Sequence, residues 1–337
     1  MFIVMKTEAS EREIAKVVNV SHEMGLHIHS LPGTQRTVIS IMDDQGAVAP
    51  SCFEKLPGVA EVIQAKKPYG LISLELKPEK TVVQIGDSSI GGDELALMAG
   101  PCSIENRAQV FSLAQTAQNS GAKFFYGGAS STNNPQHSFK GLEAEELKIL
   151  AEVREAFGLK IITEVMDRHG LELAAQYTDI LLIGSHNMQN FSLLRQAGCS
   201  LLPVVLKRSI GATLDDWLLA AEYLMAEGNY NVILCEGGIR TFNQHTRDTL
   251  DLAAIPLIRR TSHLPIIVDP SSCAGRNDLV IPLAYAAIAA GADGLIVQTC
   301  NPPSSALANN SEALTPEQYD QLIAKVRAIY DLIAHVA

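Results

Sequence analysis

From residue 95 onward, short apolar runs alternate along the chain with stretches whose apolar side chains recur every three or four positions. The runs are Leu95–Ala99, Lys123–Tyr126, Lys160–Glu164, Asp179–Ile183, Leu202–Leu206, Asn231–Cys235, Pro265–Val268 and Gly294–Val297. Apolar runs this short, bounded by turn formers, read as strands buried on both faces. The segments between them, such as 144–157 and 213–227, carry the helical period. About eight β-α units over roughly 240 residues match the count and size of a (β/α)8 TIM barrel. A doubly wound open sheet is the alternative. It usually has fewer strands and a Gly-rich phosphate turn, and neither G-x-G-x-x-G nor a P-loop occurs here.

The first 67 residues follow a different rhythm. Phe2–Met5 predicts a strand, and Ser10 with Glu13 forms a capping box that opens a helix with Ile14, Val17 and Val18 on one side. Strands are predicted at 27–29 and 37–41, separated by Pro32-Gly33, then a short helix near 52–56 and a strand at 59–63. The order β-α-β-β-α-β is the ferredoxin-like pattern, common in regulatory or oligomerisation appendages. Lys66-Lys67-Pro68-Tyr69-Gly70 marks a linker, and Thr81–Ile85 with Ser88–Gly92 reads as a hairpin. The expected architecture is α/β: a ferredoxin-like α+β domain over 1–67, a linker and hairpin over 68–94, and a TIM barrel over 95–337.

Composition narrows the partners. With 37 acidic against 26 basic residues the net charge is −11, which argues against nucleic acid or an anionic membrane as partner. No apolar run approaches the roughly 20 residues that cross a bilayer. The N-terminal residues lack the charged and apolar regions of a signal peptide, so a cytoplasmic location is expected. Six cysteines show no Cys-x-x-Cys pair and no zinc spacing, which excludes a disulfide framework or structural zinc as the organising device.

In a barrel the C-terminal ends of the strands converge on one mouth. After the first strand comes Gly100-Pro101-Cys102-Ser103-Ile104-Glu105, a thiol and a carboxylate on the expected rim. The remaining strand ends supply Glu164 and Asp167, Ser185-His186-Asn187, Lys207-Arg208, Glu236-Gly237, Asp269-Pro270-Ser271-Ser272-Cys273 and Gln298-Thr299-Cys300. Lys207, closing an apolar strand, reads in three ways: a phosphate or carboxylate partner, a Schiff-base amine, or half of a buried ion pair with Glu236 or Glu164.

These segments carry a resemblance. Ala99-Gly100-Pro101-Cys102-Ser103-Ile104-Glu105, Thr163-Glu164-Val165-Met166-Asp167, Leu206-Lys207-Arg208, Cys235-Glu236 with Gly238-Ile239-Arg240-Thr241-Phe242, and Val268-Asp269-Pro270-Ser271 resemble the type I 3-deoxy-D-arabino-heptulosonate 7-phosphate (DAHP) synthases, in particular the subgroup with an N-terminal ferredoxin-like domain. The resemblance covers nearly the whole chain. It implies a metal-dependent condensation of phosphoenolpyruvate with erythrose 4-phosphate, an oligomer, and an aromatic amino-acid effector at the N-terminal domain.

Departures from the family pattern cluster at its charged positions. The family's metal ligands are a cysteine, a histidine, a glutamate and an aspartate; here those positions hold Cys102, Ser272, Gln298 and Asn309. A hydroxyl and two amides are poor replacements for an imidazole and two carboxylates. At the phosphate grips, Tyr126, Ser131, Asn133 and Asn134 stand where the family has arginine, lysine, arginine and threonine, while His186 and Gly237 replace two further arginines. Loss of bidentate Arg–phosphate contacts weakens the hold on a dianion.

The expectation drawn from these changes is a barrel that has lost the metal and the family's condensation, and acts without cofactor on a less phosphorylated small molecule. Lys207, Glu236, Asp269, Glu164 and Cys102 are its expected catalytic residues. Tyr126, Ser131, Asn133, Asn134, His186, Arg208, Ser272 and Gln298 are the expected substrate contacts. Two alternatives stand beside it: an inactive regulatory homologue, and a genuine DAHP synthase with a rearranged site. In the last, Cys102, Cys300 and either Cys273 or His186 could supply soft-metal ligands.

Overall fold

The computed structural model describes residues 1–6, 8–26, 28–32, 37–41, 48–63, 70–101, 103–127, 144–300 and 312–334. The chain divides into two compact units, Met1–Glu79 and Lys80–Ala337.

In the first unit, β1 (Phe2–Met5), α1 (Glu11–Glu23), β2 (Ile28–Pro32), β3 (Thr37–Ile41), α2 (Ser51–Glu54) and β4 (Val59–Ile63) follow one another in the expected ferredoxin-like order. The antiparallel sheet runs β2-β3-β1-β4. The Glu13 carboxylate accepts from both the backbone N–H and the hydroxyl of Ser10 at 2.8 Å, which fixes the start of α1. Alternation along β1 sends Ile3 and Met5 into a core with Val17, Ile39, Ile41 and Phe53.

The second unit opens with the hairpin β5 (Val83–Ile85) and β6 (Ser88–Ile90). Eight parallel strands follow: β7 (Ala96–Gly100), β8 (Phe124–Gly127), β9 (Lys160–Glu164), β10 (Ile180–Ile183), β11 (Val204–Lys207), β12 (Val232–Glu236), β13 (Ile266–Val268) and β14 (Gly294–Gln298). They close in sequence order, with β14 pairing back onto β7. Closure excludes the doubly wound sheet. The helices are α3 (Arg107–Asn119), α4 (Ala144–Phe157), α5 (Arg168–Ala174), α6 (Phe191–Cys199), α7 (Leu214–Ala226), α8 (Ala254–Thr261), α9 (Pro270–Ala274), α10 (Asn277–Ala289) and α11 (Pro316–Ala334).

The barrel interior is packed, not open. Met98, Phe124, Ile162, Leu182, Val205, Ile233, Ile267 and Ile296, one from each strand, form a single apolar cluster. Val83, Ile85 and Ile90 of the hairpin belong to the same cluster, and Asp87 at its turn pairs with Lys160 at the start of β9. The hairpin therefore seals the end where the strands begin, and packs with the barrel rather than standing outside it. No helix among the described residues is long and apolar enough to cross a membrane.

Candidate active site

Side chains alternate sides along a strand, so the residue two beyond each apolar member of the interior cluster also faces the lumen, one layer nearer the mouth. That layer comprises Gly100, Tyr126, Glu164, Gly184, Lys207, Cys235, Asp269 and Gln298. The two glycines at 184 and 237 make room for its charged members. A Cβ on Gly184 would lie 2.0 Å from Glu164 Oε1, and one on Gly237 would lie 2.4 Å from Lys207 Cε.

Lys207 Nζ donates to Asp269 Oδ2 at 2.6 Å and to Ser272 Oγ at 2.9 Å, and the Ser272 hydroxyl donates to the same Asp269 oxygen at 2.7 Å. Asp269 is also the N-cap of α9: its Oδ1 accepts the backbone N–H of Ser272 at 2.8 Å, and Pro270 occupies the first helical turn. One helix start thus fixes the carboxylate, the hydroxyl and, through them, the ammonium. Burial alone would push Lys207 down, but Asp269, with Cys235 and Glu164 behind it, outweighs burial and holds the ammonium well above its ordinary range. Ion-paired with Asp269 and hydrogen-bonded to Ser272, Lys207 is held as a cation, which argues against the free amine that a Schiff base requires. Its ion-pair partner is Asp269, not Glu236 or Glu164.

Glu164 stands across the mouth, with Tyr126 Oη donating to its Oε2 at 3.5 Å. Burial raises its carboxyl above the usual range, and the nearby Lys207 and His186 only partly offset this. Gln298 is buried; its backbone N–H donates to Ser271 Oγ at 3.1 Å, and its side-chain Oε1 has no hydrogen-bond partner among the described residues. A buried carbonyl oxygen without a donor is placed to accept one from a ligand. The mouth therefore combines a fixed cation, a carboxyl that keeps its proton to higher pH than an ordinary glutamate, and an acceptor.

Two of the expected site residues lie elsewhere. Arg208 and Glu236 have the opposite parity to Lys207 and Cys235, so both sit behind the barrel wall. Arg208 donates to Glu236 Oε2 at 3.0 Å, to Asp251 Oδ2 at 2.9 Å and to the Ala212 carbonyl at 3.1 Å, and lies over the Trp217 ring. Glu236 is fully buried and also accepts the Gly238 N–H at 2.6 Å. This pair holds the wall together and does not reach the mouth. His186, in the short 3-10 turn Ser185–Asn187 after β10, is exposed. Cys102, Ser131, Asn133, Asn134 and Asn309 lie outside the described residues. The expected list omitted Cys235, which pairs in register with Lys207 on the neighbouring strand, Ser271 against Gln298, and Gly184.

Of the family's four metal positions, Ser272 and Gln298 are described. Both are neutral, and the Ser272 hydroxyl is already engaged by Lys207 and Asp269. The soft-metal set fares no better where it can be followed. Burial pushes the Cys273 thiol up to about 12 and raises Cys300 as well, which opposes the thiolate that binds metal. Among the described residues, no three His, Cys, Asp or Glu side chains gather to hold an ion. The described donors do not fit a divalent ion.

Comparison with known proteins bears on the whole chain. The DAHP synthase ferredoxin-like domain matches residues 1–67 and the DAHP synthetase I family matches residues 73–333. A phospho-2-dehydro-3-deoxyheptonate aldolase from Thermotoga maritima is 42% identical over 99% of this chain and 98% of its own. The crystal structure of the Thermotoga maritima DAHP synthase superposes with a TM-score of 0.77, covering 98% of this chain and 97% of that one. A 2-dehydro-3-deoxyphosphooctonate aldolase from Syntrophobacter fumaroxidans is 27% identical over 73% of this chain. Identity this high over both domains overturns the expectation that the barrel has left DAHP synthesis for another substrate, and equally that of an inactive homologue. It gives no support to a lost metal. The chain belongs to the DAHP synthetase I family.

Proposed function

We propose that this protein is a DAHP synthase, condensing phosphoenolpyruvate with erythrose 4-phosphate. A carbon–carbon bond forms between the methylene carbon of phosphoenolpyruvate and the aldehyde carbon. Water adds to the enol carbon, phosphate departs, and a 2-keto sugar acid phosphate remains. The observation that carries the reading is the Lys207–Asp269–Ser272 cluster facing Glu164, in a chain 42% identical to a DAHP aldolase from end to end.

Each group has a task suited to its state. The Lys207 ammonium, held in place before substrate arrives, binds the anionic end of phosphoenolpyruvate without reorganisation. Glu164, holding its proton into a higher pH range than an ordinary glutamate, donates it to the aldehyde oxygen as negative charge develops there. Gln298 Oε1 accepts from a substrate hydroxyl, and Tyr126 keeps the Glu164 carboxyl aimed across the mouth.

The test is turnover by the purified full-length protein. Loss of phosphoenolpyruvate and release of phosphate are followed with erythrose 4-phosphate or arabinose 5-phosphate as acceptor, each with added Mn²⁺ and with a chelator. Consumption dependent on erythrose 4-phosphate in either arm is the expected result. No consumption in any arm, while the Thermotoga maritima enzyme turns over alongside, overturns the proposal; preference for arabinose 5-phosphate reassigns the acceptor.

A further inference from the structure

The segments that follow β12, β13 and β14 meet at one ion pair that the proposed reaction does not use. Arg247, on the loop after β12, grips the Glu312 carboxylate with both arms, Nη1 to Oε1 and Nη2 to Oε2 at 2.9 Å each. The carboxylate is buried and the guanidinium half-exposed. A bidentate Arg–carboxylate pair fixes orientation as well as distance, because the planar fork matches the two oxygens. Arg247 is itself held against α9. Its backbone N–H donates to the Ala274 carbonyl at 3.3 Å, the Asp248 N–H donates to the Cys273 carbonyl at 3.0 Å, and Nη1 lies 3.5 Å from the Ser272 carbonyl. This approach needs glycine at position 275, where φ is +66° and a Cβ would lie 2.9 Å from Arg247 Cβ.

What the pair holds is the end of β14. Glu312 lies two residues before Leu314, whose N–H donates to the Gln298 carbonyl at 2.9 Å and whose carbonyl accepts the Cys300 N–H at 3.0 Å, a short parallel bridge across Thr299. On the other side of Leu314, Thr315 caps α11: its N–H donates to Gln318 Oε1 at 3.0 Å, and its Oγ1 accepts the Gln318 N–H at 3.4 Å. Leu314 is thus pinned from both sides. Gln298 is pinned in turn, by Ser271 Oγ on its N–H and by Leu314 on its carbonyl. Its Oε1 is the buried acceptor with no donor among the described residues. Phosphoenolpyruvate carries no hydroxyl, so in the proposed condensation the hydroxyl that Oε1 accepts from belongs to the acceptor sugar.

We infer that Arg247 is a positioning residue for the acceptor sugar: through Glu312 and Leu314 it sets where Gln298 presents Oε1 at the mouth, without touching substrate. The choice of substrate rests on the condensation proposed above, whereas the tie stands on its hydrogen bonds alone. Lys207, Asp269 and Ser272 hold one another side chain to side chain, so loosening Arg247 leaves the phosphoenolpyruvate end in place.

Arg247→Met in the full-length protein keeps the apolar stem and removes the fork. KM for erythrose 4-phosphate is expected to rise about tenfold, with KM for phosphoenolpyruvate within about twofold of the parent. Arg247→Lys, which keeps the charge without the bidentate fit, is expected to lie between, at about threefold. With Gln298→Ala already in place, Arg247→Met is expected to add nothing, whereas a general loosening of the fold would add in full. Hydrogen exchange reads the tie without any substrate. The Leu314 and Cys300 amides are expected to exchange about tenfold faster in Arg247→Met, and the amides within β11 at the parental rate. Equal effects on the two KM values, additive losses with Gln298→Ala, or unchanged exchange at Leu314 and Cys300 each overturn the assignment. If Arg247→Met does not fold, Arg247→Lys is read by the same three measures. A parent without turnover overturns the condensation and the acceptor role together; exchange then still decides the tie, so the two failures are told apart.

Discussion

Lys207 and Arg208 are neighbours in sequence, yet they lie on opposite sides of the barrel wall and have different work. Each is a cation held by carboxylates. Lys207 shares Asp269 with a hydroxyl and keeps 14% of its side chain exposed at the mouth, whereas Arg208 is closed in with Glu236 and Asp251 behind the strands at 6%. The lumen pair leaves an N–H of the ammonium available for a ligand among the described residues. The wall pair spends its guanidinium on two carboxylates and a carbonyl. Position relative to the sheet, not residue type, separates the charge proposed for chemistry from the charge enclosed behind the wall.

That contrast breaks most sharply by exchanging each cation for methionine. Lys207→Met is expected to cost about a thousandfold in turnover, the scale of removing a preorganised charge from a reacting anion. Asp269 keeps two donors from Ser272, so its thermal midpoint moves little. Arg208→Met is expected to do the reverse, costing about 3–5 kcal/mol of stability by leaving Glu236 buried and charged without its partner. Burial already raises Glu236, with Arg208 opposing it. A raised carboxyl favours folding at low pH, so the deficit of Arg208→Met should shrink as pH falls and Glu236 takes a proton. Denaturant titrations at several pH values check the second half and steady-state rates the first.

Glu164 supplies the next largest effect. Glu164→Gln keeps the size of the side chain and a donor but removes the transferable proton, and is expected to lower turnover by about a hundredfold. In the parent the proton is lost as pH rises through the raised Glu164 range, so the rate should fall on that alkaline limb. In the variant the limb should vanish. A pH–rate profile that keeps its alkaline limb after the substitution assigns the proton to another group.

How much of this was legible beforehand differs between fold and site. All eight strands were readable because each is a short apolar run closed by a polar or glycine-containing turn, and closure follows from their number. The hairpin was read correctly but set outside the barrel, because its three interior residues are too few to show which core they join. At the mouth, Lys207 and Asp269 were found, but Arg208 and Glu236 were set beside them. A strand apolar on both faces hides its two-residue period, so the last residue inside the lumen and the first outside it look alike until parity is counted from a known member. Ser272 and Gln298 misled for another reason. Read as missing ligands they suggested a different reaction, whereas similarity over the whole length of the chain supports the proposed one, and the structure engages the Ser272 hydroxyl while leaving Gln298 Oε1 without a partner among the described residues.

Smaller perturbations sharpen the lumen side alone. Gly237→Ala places a methyl 2.4 Å from Lys207 Cε and is expected to shift the ammonium off Asp269, raising KM for phosphoenolpyruvate about tenfold, with the fold intact. A KM unchanged by the added methyl would mean that Lys207 has room to move without loss, contrary to a preset cation.

The smallest expected effect, and the most discriminating, belongs to Ser272. Its hydroxyl accepts from Lys207 and donates to Asp269, closing a triangle in which every edge is 2.9 Å or shorter. It touches the cation proposed to bind substrate and none of the bonds that would change. Ser272→Ala removes one hydrogen bond on each side and leaves the ion pair and the helix cap in place, so about 1 kcal/mol of the positioning should go. The loss should fall on KM for phosphoenolpyruvate, by roughly fivefold, with kcat and the thermal midpoint nearly unchanged. Ser272→Thr keeps the hydroxyl and should restore most of it. A fall in kcat at constant KM would instead place the hydroxyl at the reacting atoms, making position 272 part of the chemistry and not only of the cradle that holds Lys207.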